Sequence, residues 1–335
     1  MSIQTPFGVR IAGTGSAVPS RVLTNADLEK MIDTSDEWII KRTGIHKRHL
    51  LDESKGETTL EIERRAITGA LDAAGMQASD LDLLIVASLT SEMACPSNAC
   101  RLNEAIGAYP AGSFDLNAAC CGFVYSLNLA DSLIRSGRHR AIGIVGCDTL
   151  SRHIDYTERT VSILFGDAAG SAILVRDDEH PERGCIYQKI EADGQGWESL
   201  YMPRREEDVP ANAPESEVRM GYLRMNGREV YKFAVSKFQY VIEDALEQTG
   251  LQVDDIAQFV CHQSNIRIIE SAKEKIGLPD DKVHINIDKY GNSSAGSVAL
   301  CLDELTRSGR INPGDKVVFV AFGAGMTWSS SVWQV

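Results

Sequence analysis

Short apolar runs alternate along this chain with longer segments of helical periodicity. The predicted strands are Leu83–Val86, Ser113–Leu116, Ala141–Val145, Phe259–Cys261, His284–Ile287 and Val317–Ala321. Between the later runs, residues Ile266–Ile276 and Ala295–Ser308 carry a helical pattern. Such an alternation is typical of an α/β protein with a mostly parallel sheet.

The two halves of the chain repeat one another. Residues Asp131–Arg138 read Asp-Ser-Leu-Ile-Arg-Ser-Gly-Arg, and residues Asp303–Arg310, 172 positions later, read Asp-Glu-Leu-Thr-Arg-Ser-Gly-Arg. Each copy ends an amphipathic helix at a glycine and lies between two strands, which indicates an internal duplication. The same offset carries Cys120 to Asn292, so we expect two related helix starts to face one another at a site between the halves.

The length of 335 residues exceeds one ordinary core, so either two lobes or one large α/β unit is expected. The duplication predicts a first half over residues 1–178, with Cys120, and a second over 179–335, with His262 and Asn292. The segment Gly184–Arg228 is rich in charge, proline and glycine and is interpreted as an insertion or a covering flap.

Composition excludes several classes of protein. No run of about 18 uncharged apolar residues occurs, and Met1–Phe7 does not resemble a secretory leader, so we expect a cytoplasmic protein without a membrane span. A net charge of −13 argues against nucleic acid and anionic membranes as partners. The eight cysteines include no Cys-x-x-Cys pair, so we expect reduced, mostly buried thiols and no metal site.

Cys120 is the first candidate for chemistry, since it stands where a predicted strand runs into a helix. Amide hydrogens and the helix dipole at a helix start favour a thiolate, the nucleophilic form of cysteine. From this segment alone, a cysteine beside alanines is more typical of core packing, and Cys121 has the same local claim. The predicted buried face of the helix consists of Phe123, Leu127, Ala130 and Ile134.

Other polar residues follow predicted strands, each with an ordinary alternative. His262 ends one strand, where parallel sheets bind ligands, but it could be a helix cap. Asn292 lies in Gly-Asn-Ser-Ser-Ala, a sequence that also suits a turn. Residues 322–326, Phe-Gly-Ala-Gly-Met, could offer backbone amides to a reacting carbonyl or form a plain turn. A dinucleotide loop at residues 13–18 is disfavoured, because Val18 replaces the third glycine.

In combination, these motifs resemble those of β-ketoacyl-acyl-carrier-protein synthase III over nearly the whole chain. The matching motifs hold Cys120 in Asp-x-x-Ala-Ala-Cys-x-Gly-Phe, His262 in His-Gln-x-Asn-x-Arg and Asn292 in Gly-Asn-Ser-Ser-Ala, with further matches at residues 34–45, 165–170, 225–232 and 322–328. The resemblance implies a thiolase-like αβαβα five-layer sandwich built from two duplicated halves, and a homodimer.

The resemblance also implies a reaction. Cys120, rather than Cys121, would take an acyl group from an acyl-coenzyme A, with the backbone amides of Cys120 and Ala324 holding the oxyanion. His262 and Asn292 would then stabilise the enolate that malonyl-acyl-carrier-protein forms as carbon dioxide departs. The resemblance implies no permanently bound cofactor, because the coenzyme A thioester is a substrate.

Further residues match binding positions of the family. The coenzyme A positions are Thr34, Trp38, Arg42 and Arg159. The carrier-protein docking positions are Lys232, Arg267 and Lys275, with Glu274 where some relatives have a basic residue. The acyl-pocket positions are Cys95, Leu164 and Phe165.

Two departures from the family pattern and two rival functions remain. Cys95 stands where a relative with a short-chain preference has a bulky aromatic residue, so primers longer than acetyl could enter. Ala324 replaces a glycine and would be strained at positive φ.

One rival function is that of a synthase III-like enzyme of secondary metabolism with another primer or acceptor, and the other is that of a non-catalytic acyl-binding scaffold.

Overall fold

The computed structural model describes residues 5–211, 213 and 219–335. Residues 1–4 and part of the predicted flap therefore lie outside the described residues. The strands are β1 Gly8–Ala17, β2 Arg21–Thr24, β3 Lys47–Leu50, β4 Leu83–Ala87, β5 Gly112–Leu116, β6 Ala141–Asp148, β7 Ala168–Asp177, β8 Gly184–Ala192, β9 Leu200–Tyr201, β10 Arg224–Met225, β11 Gln258–Cys261, β12 Lys316–Gly323 and β13 Thr327–Gln334. The helices are α1 Asn25–Leu28, α2 Asp36–Thr43, α3 Thr59–Ala74, α4 Asn98–Ile106, α5 Gly122–Arg135, α6 Arg159–Ser162, α7 Gly227–Thr249, α8 Ile266–Ile276, α9 Ile287–Tyr290 and α10 Gly296–Arg307.

The two large sheets have the same plan. In the first, ordered β1-β7-β6-β4-β5, β4 is parallel to β5 and β6, whereas β7 is antiparallel to β1 and β6. In the second, ordered β11-β12-β13-β8, β11 is parallel to β12, whereas β13 is antiparallel to β12 and β8. The prediction of a mostly parallel sheet is wrong, because short links such as residues 324–326 between β12 and β13 close hairpins rather than crossovers.

Three helical layers cover and separate these sheets. Helices α3 and α4 share a core with the outer face of the first sheet, which includes Ile67 and Val145. Helices α5 and α10 lie between the sheets, where Phe123 and Leu302 pack with Phe319. Helices α7 and α8 cover the outer face of the second sheet. This order of layers confirms the predicted αβαβα sandwich.

The repeated aspartates tie the two sheets together. Asp131, on α5, accepts a hydrogen bond from the backbone N–H of Cys185 on β8, at 3.2 Å. Its counterpart Asp303, on α10, accepts hydrogen bonds from Thr14 at 2.8 Å and Ser16 at 2.6 Å, both on β1. Each central helix therefore bonds to the first strand of the other sheet, as an approximate two-fold repeat requires.

Two predictions of local structure are wrong. The segment His284–Ile287 is not a strand: α9 begins at Ile287, and His284 and Asn286 instead bond to Glu304. The segment Gly184–Arg228 is not wholly an insertion, because its first nine residues form β8, whose exposure alternates along one sheet edge. The division of the chain at residues 178 and 179 stays a prediction.

Candidate active site

Cys120 lies where β5 leads into α5. The chain makes a 3-10 turn over Ala119–Cys121 and enters α5 at Gly122. The predicted apolar face of α5 is fully buried at Phe123, Leu127, Ala130 and Ile134. Cys120 is 8% exposed and lines a cavity of about 100 Å³, whereas Cys121 is fully buried in the core between the sheets. The structure therefore separates two cysteines that the local sequence left equivalent.

The Cys120 thiol has a high pKa rather than a low one. Burial raises the pKa to about 12, a hydrogen bond to Ser294 opposes that rise, and the charge of Asp148 adds to it. The helix start favours a thiolate, whereas the burial of Cys120 just before α5 opposes ionisation. Whether the thiolate predominates stays a prediction.

His262 follows β11, at the carboxyl end predicted for it. Its backbone N–H donates to the carbonyl of Val320 at 2.8 Å, and its ring packs edge-on against Phe322, with ring centroids 5.3 Å apart. The side chain is 1% exposed and lines the same cavity as Cys120. Burial lowers the pKa of His262 to about 3, so the imidazole is neutral at neutral pH and carries one N–H donor.

Asn292 completes the cavity wall and presents its amide nitrogen. Its backbone N–H donates to the carbonyl of Leu164 at 2.8 Å, and its carbonyl accepts from Gly166 at 3.0 Å. The side-chain Oδ1 accepts from the backbone N–H of Ser294 at 2.9 Å. Because Oδ1 is occupied in this way, the Nδ2 group is the part of the amide left to donate into the cavity.

The turn after β12 packs against the backbone of Cys120. A Cβ atom on Gly323 would lie 2.9 Å from the Cys120 backbone nitrogen, so only a glycine allows this approach. Ala324 follows directly and does not have a positive φ, which removes the strain expected at this position. Gly325 takes the unusual conformation instead, with φ of +134°. The residue before Ala324 thus packs directly against the backbone of Cys120.

Three of the four coenzyme A positions form one cluster on the surface. The guanidinium carbon of Arg159 lies 4.7 Å from the centre of the Trp38 ring, and that of Arg42 lies 5.3 Å from it. Arg159 also donates to the carbonyl of Asp33 at 3.1 Å. Thr34 is adjacent in sequence, and its buried hydroxyl has no hydrogen-bond partner in the described chain. Trp38 packs on the same apolar cluster as the cavity-lining Leu164 and Phe165.

The docking positions lie on the two outer helices beside the cavity. Lys232, on α7, follows the cavity-lining Tyr231 and pairs with Glu229 at 2.8 Å. Arg267, on α8, lies over the Tyr231 ring, with its guanidinium carbon 5.6 Å from the centroid. Lys275 is exposed at the other end of α8. Arg267 and Lys232 therefore flank the cavity, and Lys275 extends the basic surface.

Two of the three predicted acyl-pocket residues line the cavity, and one does not. Leu164 and Phe165 line the cavity with Cys120, but Cys95 is exposed and does not line it. A larger cleft of about 660 Å³ borders the backbone on the far side of the site, at Ala119 and Ala324. Cys95 does not line this cleft either.

Comparison with known proteins gives this arrangement a family. Models of 3-oxoacyl-(acyl-carrier-protein) synthase III match residues 114–194, and those of its C-terminal part match residues 246–335. The β-ketoacyl-acyl-carrier-protein synthase III of Caldanaerobacter subterraneus subsp. tengcongensis is 44% identical over 322 residues, covering 96% of each chain. The chain belongs to the β-ketoacyl-acyl-carrier-protein synthase III family.

Other members of the synthase III family agree in sequence and in shape. The protein of that name from Xanthomonas campestris pv. campestris is 41% identical, covering 96% of this chain and 97% of its own. The crystal structure of the Aquifex aeolicus synthase III superposes with a TM-score of 0.89 at 37% identity, covering 98% of this chain and 100% of the other. The five-layer sandwich is thus the thiolase-like fold of the family.

Sequence reasoning missed the residue that contacts Cys120. The duplication paired Cys120 with Asn292, but the Cys120 sulfur lies 3.3 Å from the hydroxyl of Ser294. The offset fails because α10 is two residues shorter than α5, so the helix starts Gly122 and Gly296 are 174 positions apart. The predicted meeting of the two helix starts is confirmed, with Ser294 as the partner. The one sequence feature that could have indicated Ser294 is its position in the Gly-Asn-Ser-Ser-Ala motif, two residues after Asn292.

Proposed function

We propose that this protein catalyses a decarboxylative condensation between an acyl-coenzyme A primer and malonyl-acyl-carrier-protein, the first condensation of fatty acid synthesis. The observation that carries the proposal is that Cys120, His262 and Asn292 line one cavity. A nucleophile beside two neutral hydrogen-bond donors suits acyl transfer followed by enolate stabilisation.

In the first half-reaction, the Cys120 sulfur attacks the thioester carbonyl of the primer and coenzyme A leaves. The negative oxygen of the tetrahedral intermediate is held by the backbone amides of Cys120 and Ala324. Close packing of Gly323 against Cys120 supports this role, because it fixes the two segments relative to one another.

In the second half-reaction, the malonyl thioester carbonyl accepts hydrogen bonds from His262 and Asn292. These bonds stabilise the enolate that forms when the carbon–carbon bond to the carboxylate breaks and carbon dioxide departs. The enolate carbon then attacks the acyl group, and Cys120 leaves as the new carbon–carbon bond forms. Two neutral donors suit this step, since neither gives up its proton to the enolate.

Coenzyme A would bind through the exposed cluster at the other end of the apolar region. Adenine would be held between Trp38 and Arg159, which lie 4.7 Å apart and would separate to admit it, while Arg42 pairs with phosphate and Thr34 supplies its unpartnered hydroxyl. No permanent cofactor takes part. The carrier protein would dock on Lys232, Arg267 and Lys275, which supply positive charge on a body of net charge −13.

The active unit is proposed to be a cytoplasmic homodimer. Strand β5 has a neighbour on one side only, and its Phe114 is 37% exposed. A second copy of β5 would cover this edge, and the loop that carries Cys95 would then reach the acyl pocket of the partner. None of the helices in the described part of the chain is both long and apolar enough to cross a bilayer.

The two rival functions are not favoured by the comparisons. The relatives at 44% and 41% identity bear the name of the fatty-acid enzyme rather than of a secondary-metabolism synthase. Cys120, His262 and Asn292 line one cavity, an arrangement that a non-catalytic scaffold does not require.

The test is acylation of the purified protein by acetyl-coenzyme A, measured by intact mass. We expect one acetyl group per chain, lost in Cys120→Ser and retained in Cys121→Ser, the matched control. Acylation of Cys121, or no acylation with any primer from acetyl to dodecanoyl, would overturn the proposal. Addition of malonyl-acyl-carrier-protein should then release a 3-oxoacyl product.

A further inference from the structure

The His262 ring depends on its backbone for its position. Its Nδ1 atom is buried and has no hydrogen-bond partner in the part of the chain that the structure describes. The ring packs on Phe322, and the backbone N–H of His262 donates to the carbonyl of Val320. What holds the backbone just after His262 therefore also decides where this hydrogen-bond donor lies.

The next residue, Gln263, uses its side-chain amide to join two segments of the site. Its Nε2 group donates to the carbonyl of Cys261 at 3.0 Å and to that of His284 at 3.1 Å. Its Oε1 atom accepts from the backbone N–H of Asn286 at 3.1 Å. Both amide hydrogens are thereby used, and the residue is 1% exposed. Gln263 does not line the cavity, so any effect on a substrate there must pass through its neighbours.

The Gln263 amide stands where the two segments would otherwise continue to pair. Phe259 of β11 pairs with Val283 as in a parallel sheet. Further along, the amide is bonded both to the Cys261 carbonyl and to the Asn286 N–H. It thus lies between the two backbones, and its size sets their separation.

The second segment leads to Asn292 through the short helix α9. The Asn286 carbonyl accepts from the backbone N–H groups of Lys289 at 3.1 Å and Tyr290 at 3.3 Å. The Asn286 side chain donates to Glu304 of α10 at 2.9 Å, and the Tyr290 hydroxyl donates to the same carboxylate at 2.9 Å. Because these bonds hold α9 as a firm link, the position of Asn286 sets that of Asn292.

A further bond ties Gln263 to the central helical layer. Its backbone N–H donates to the Ser297 hydroxyl on α10 at 2.7 Å. The segment before α10 carries Ser294, whose hydroxyl lies 3.3 Å from the Cys120 sulfur. Gln263 is therefore bonded to the segments that bring His262, Asn292 and the Cys120 contact to one place.

We propose that Gln263 is a positioning residue, which sets the distance between the two donors, His262 and Asn292, that bind the malonyl thioester carbonyl. The inference rests on the condensation proposed above. One enolate oxygen accepts both hydrogen bonds only where the two donors converge on it. A misplacement of about 1 Å can slow a reaction by 10²-fold. Acylation of Cys120 needs neither donor, so the effect belongs to the second half-reaction.

The test compares Gln263→Met and Gln263→Ala with the wild type in both half-reactions. Gln263→Met keeps a side chain of similar length but removes its three hydrogen bonds. Acylation by acetyl-coenzyme A, followed by rapid quench and intact mass, should keep the wild-type rate in both variants, which also shows that they are folded. Release of radiolabelled carbon dioxide from malonyl-acyl-carrier-protein should fall by about 10- to 10²-fold.

Gln258→Ala is the matched control. Gln258 is a buried glutamine at the other end of β11, and its side chain donates to the carbonyl of Asp281 at 3.0 Å. Its loss should lower the free energy of unfolding in urea, as the loss of Gln263 does, but should leave decarboxylation at the wild-type rate. This comparison separates a positioning role from a general loss of stability.

Two further measurements address positioning directly. Gln263→Met should slow decarboxylation by a smaller factor in an Asn292→Ala background than in the wild type, because one of the two donors is already gone. The NMR signal of the Asn292 side-chain amide, assigned by its loss in Asn292→Ala, should shift in Gln263→Met and stay in place in Gln258→Ala. This signal does not depend on activity.

Decarboxylation at the wild-type rate in Gln263→Met would overturn the inference. An equal factor in both backgrounds, or an Asn292 amide signal that does not move, would overturn it as well. A wild type that does not decarboxylate malonyl-acyl-carrier-protein, while the amide signal still shifts in Gln263→Met, would count against the proposed function and not against the position that Gln263 sets.

Discussion

His262 and Asn292 are held as hydrogen-bond donors by groups that take no part in the reaction. Burial keeps the imidazole neutral, with a pKa of about 3. The Ser294 backbone N–H occupies the amide oxygen of Asn292 and so fixes which way the amide points. Neither residue hydrogen-bonds to Cys120 in the described chain, so their roles should be separable from acylation.

The first prediction concerns this separation. His262→Ala and Asn292→Ala should still accept one acyl group on Cys120 but should lose malonyl decarboxylation by about 10²- to 10³-fold, because each removes a donor to the enolate. Radiolabelled carbon dioxide release measures the second step and intact mass the first. His180→Ala, at an exposed histidine that pairs with Glu182, is the control. Loss of acylation in both site variants would show that the assigned roles are wrong.

At the scale of elements, α5 and α10 bond to the opposite sheets with unequal burial. The Arg135 side chain, which pairs with Asp131 at 3.0 Å, is 7% exposed, whereas Arg307, which pairs with Asp303 at 2.9 Å, is 62% exposed. The duplicated motif therefore has the same contacts in both halves but different surroundings. A charge left without its partner costs more where water cannot reach it.

The second prediction follows from that difference. Asp131→Ala should lower the free energy of unfolding by about 3–5 kcal/mol, because it leaves the buried Arg135 charge without its carboxylate. Asp303→Ala should cost about 1–3 kcal/mol, since Arg307 can turn to solvent and the loss is mainly that of the bonds from Thr14 and Ser16. Urea unfolding of both variants gives the comparison. An equal or larger cost at Asp303 would contradict it.

At the scale of the whole molecule, the proposed dimer interface and the proposed docking surface lie on different elements of the fold. The body is acidic, and the proposed docking residues lie on α7 and α8, away from the free edge of β5. A dimer formed through β5 would leave both docking surfaces open. The edge at β8 also exposes an apolar residue, Ile190, which is 48% exposed.

The third prediction uses these two edges as a matched pair. Phe114→Asp should convert the protein to a monomer in sedimentation velocity, because it places a charge in the proposed interface between two β5 strands. Ile190→Asp, at a similarly exposed apolar residue on β8, should leave a dimer. A monomeric wild type, or a dimer in Phe114→Asp, would show that β5 is not the interface.

Much of the architecture could be predicted from the local spacing of apolar residues. That spacing located the strands β4, β5, β6, β11 and β12 and the helix α8. The repeated Asp-x-x-x-Arg-Ser-Gly-Arg motif indicated the duplication. The segment at His284 was misassigned because its side chains bind Glu304, a residue about 20 positions away. The strands β7 and β13 were not predicted. Each pairs antiparallel with its two neighbours, so both sheets contain parallel and antiparallel strands.

The sequence by itself determined the layered fold, the family resemblance and the choice of Cys120, His262 and Asn292. Only the tertiary structure decided the state of these groups, because burial and hydrogen bonding depend on neighbours far apart in the chain. It buried Cys120, which raises the pKa of the thiol, and it gave the Cys120 side chain a hydrogen bond to Ser294 rather than to Asn292. The two-residue difference in helix length that causes this pairing is visible only once α5 and α10 lie side by side.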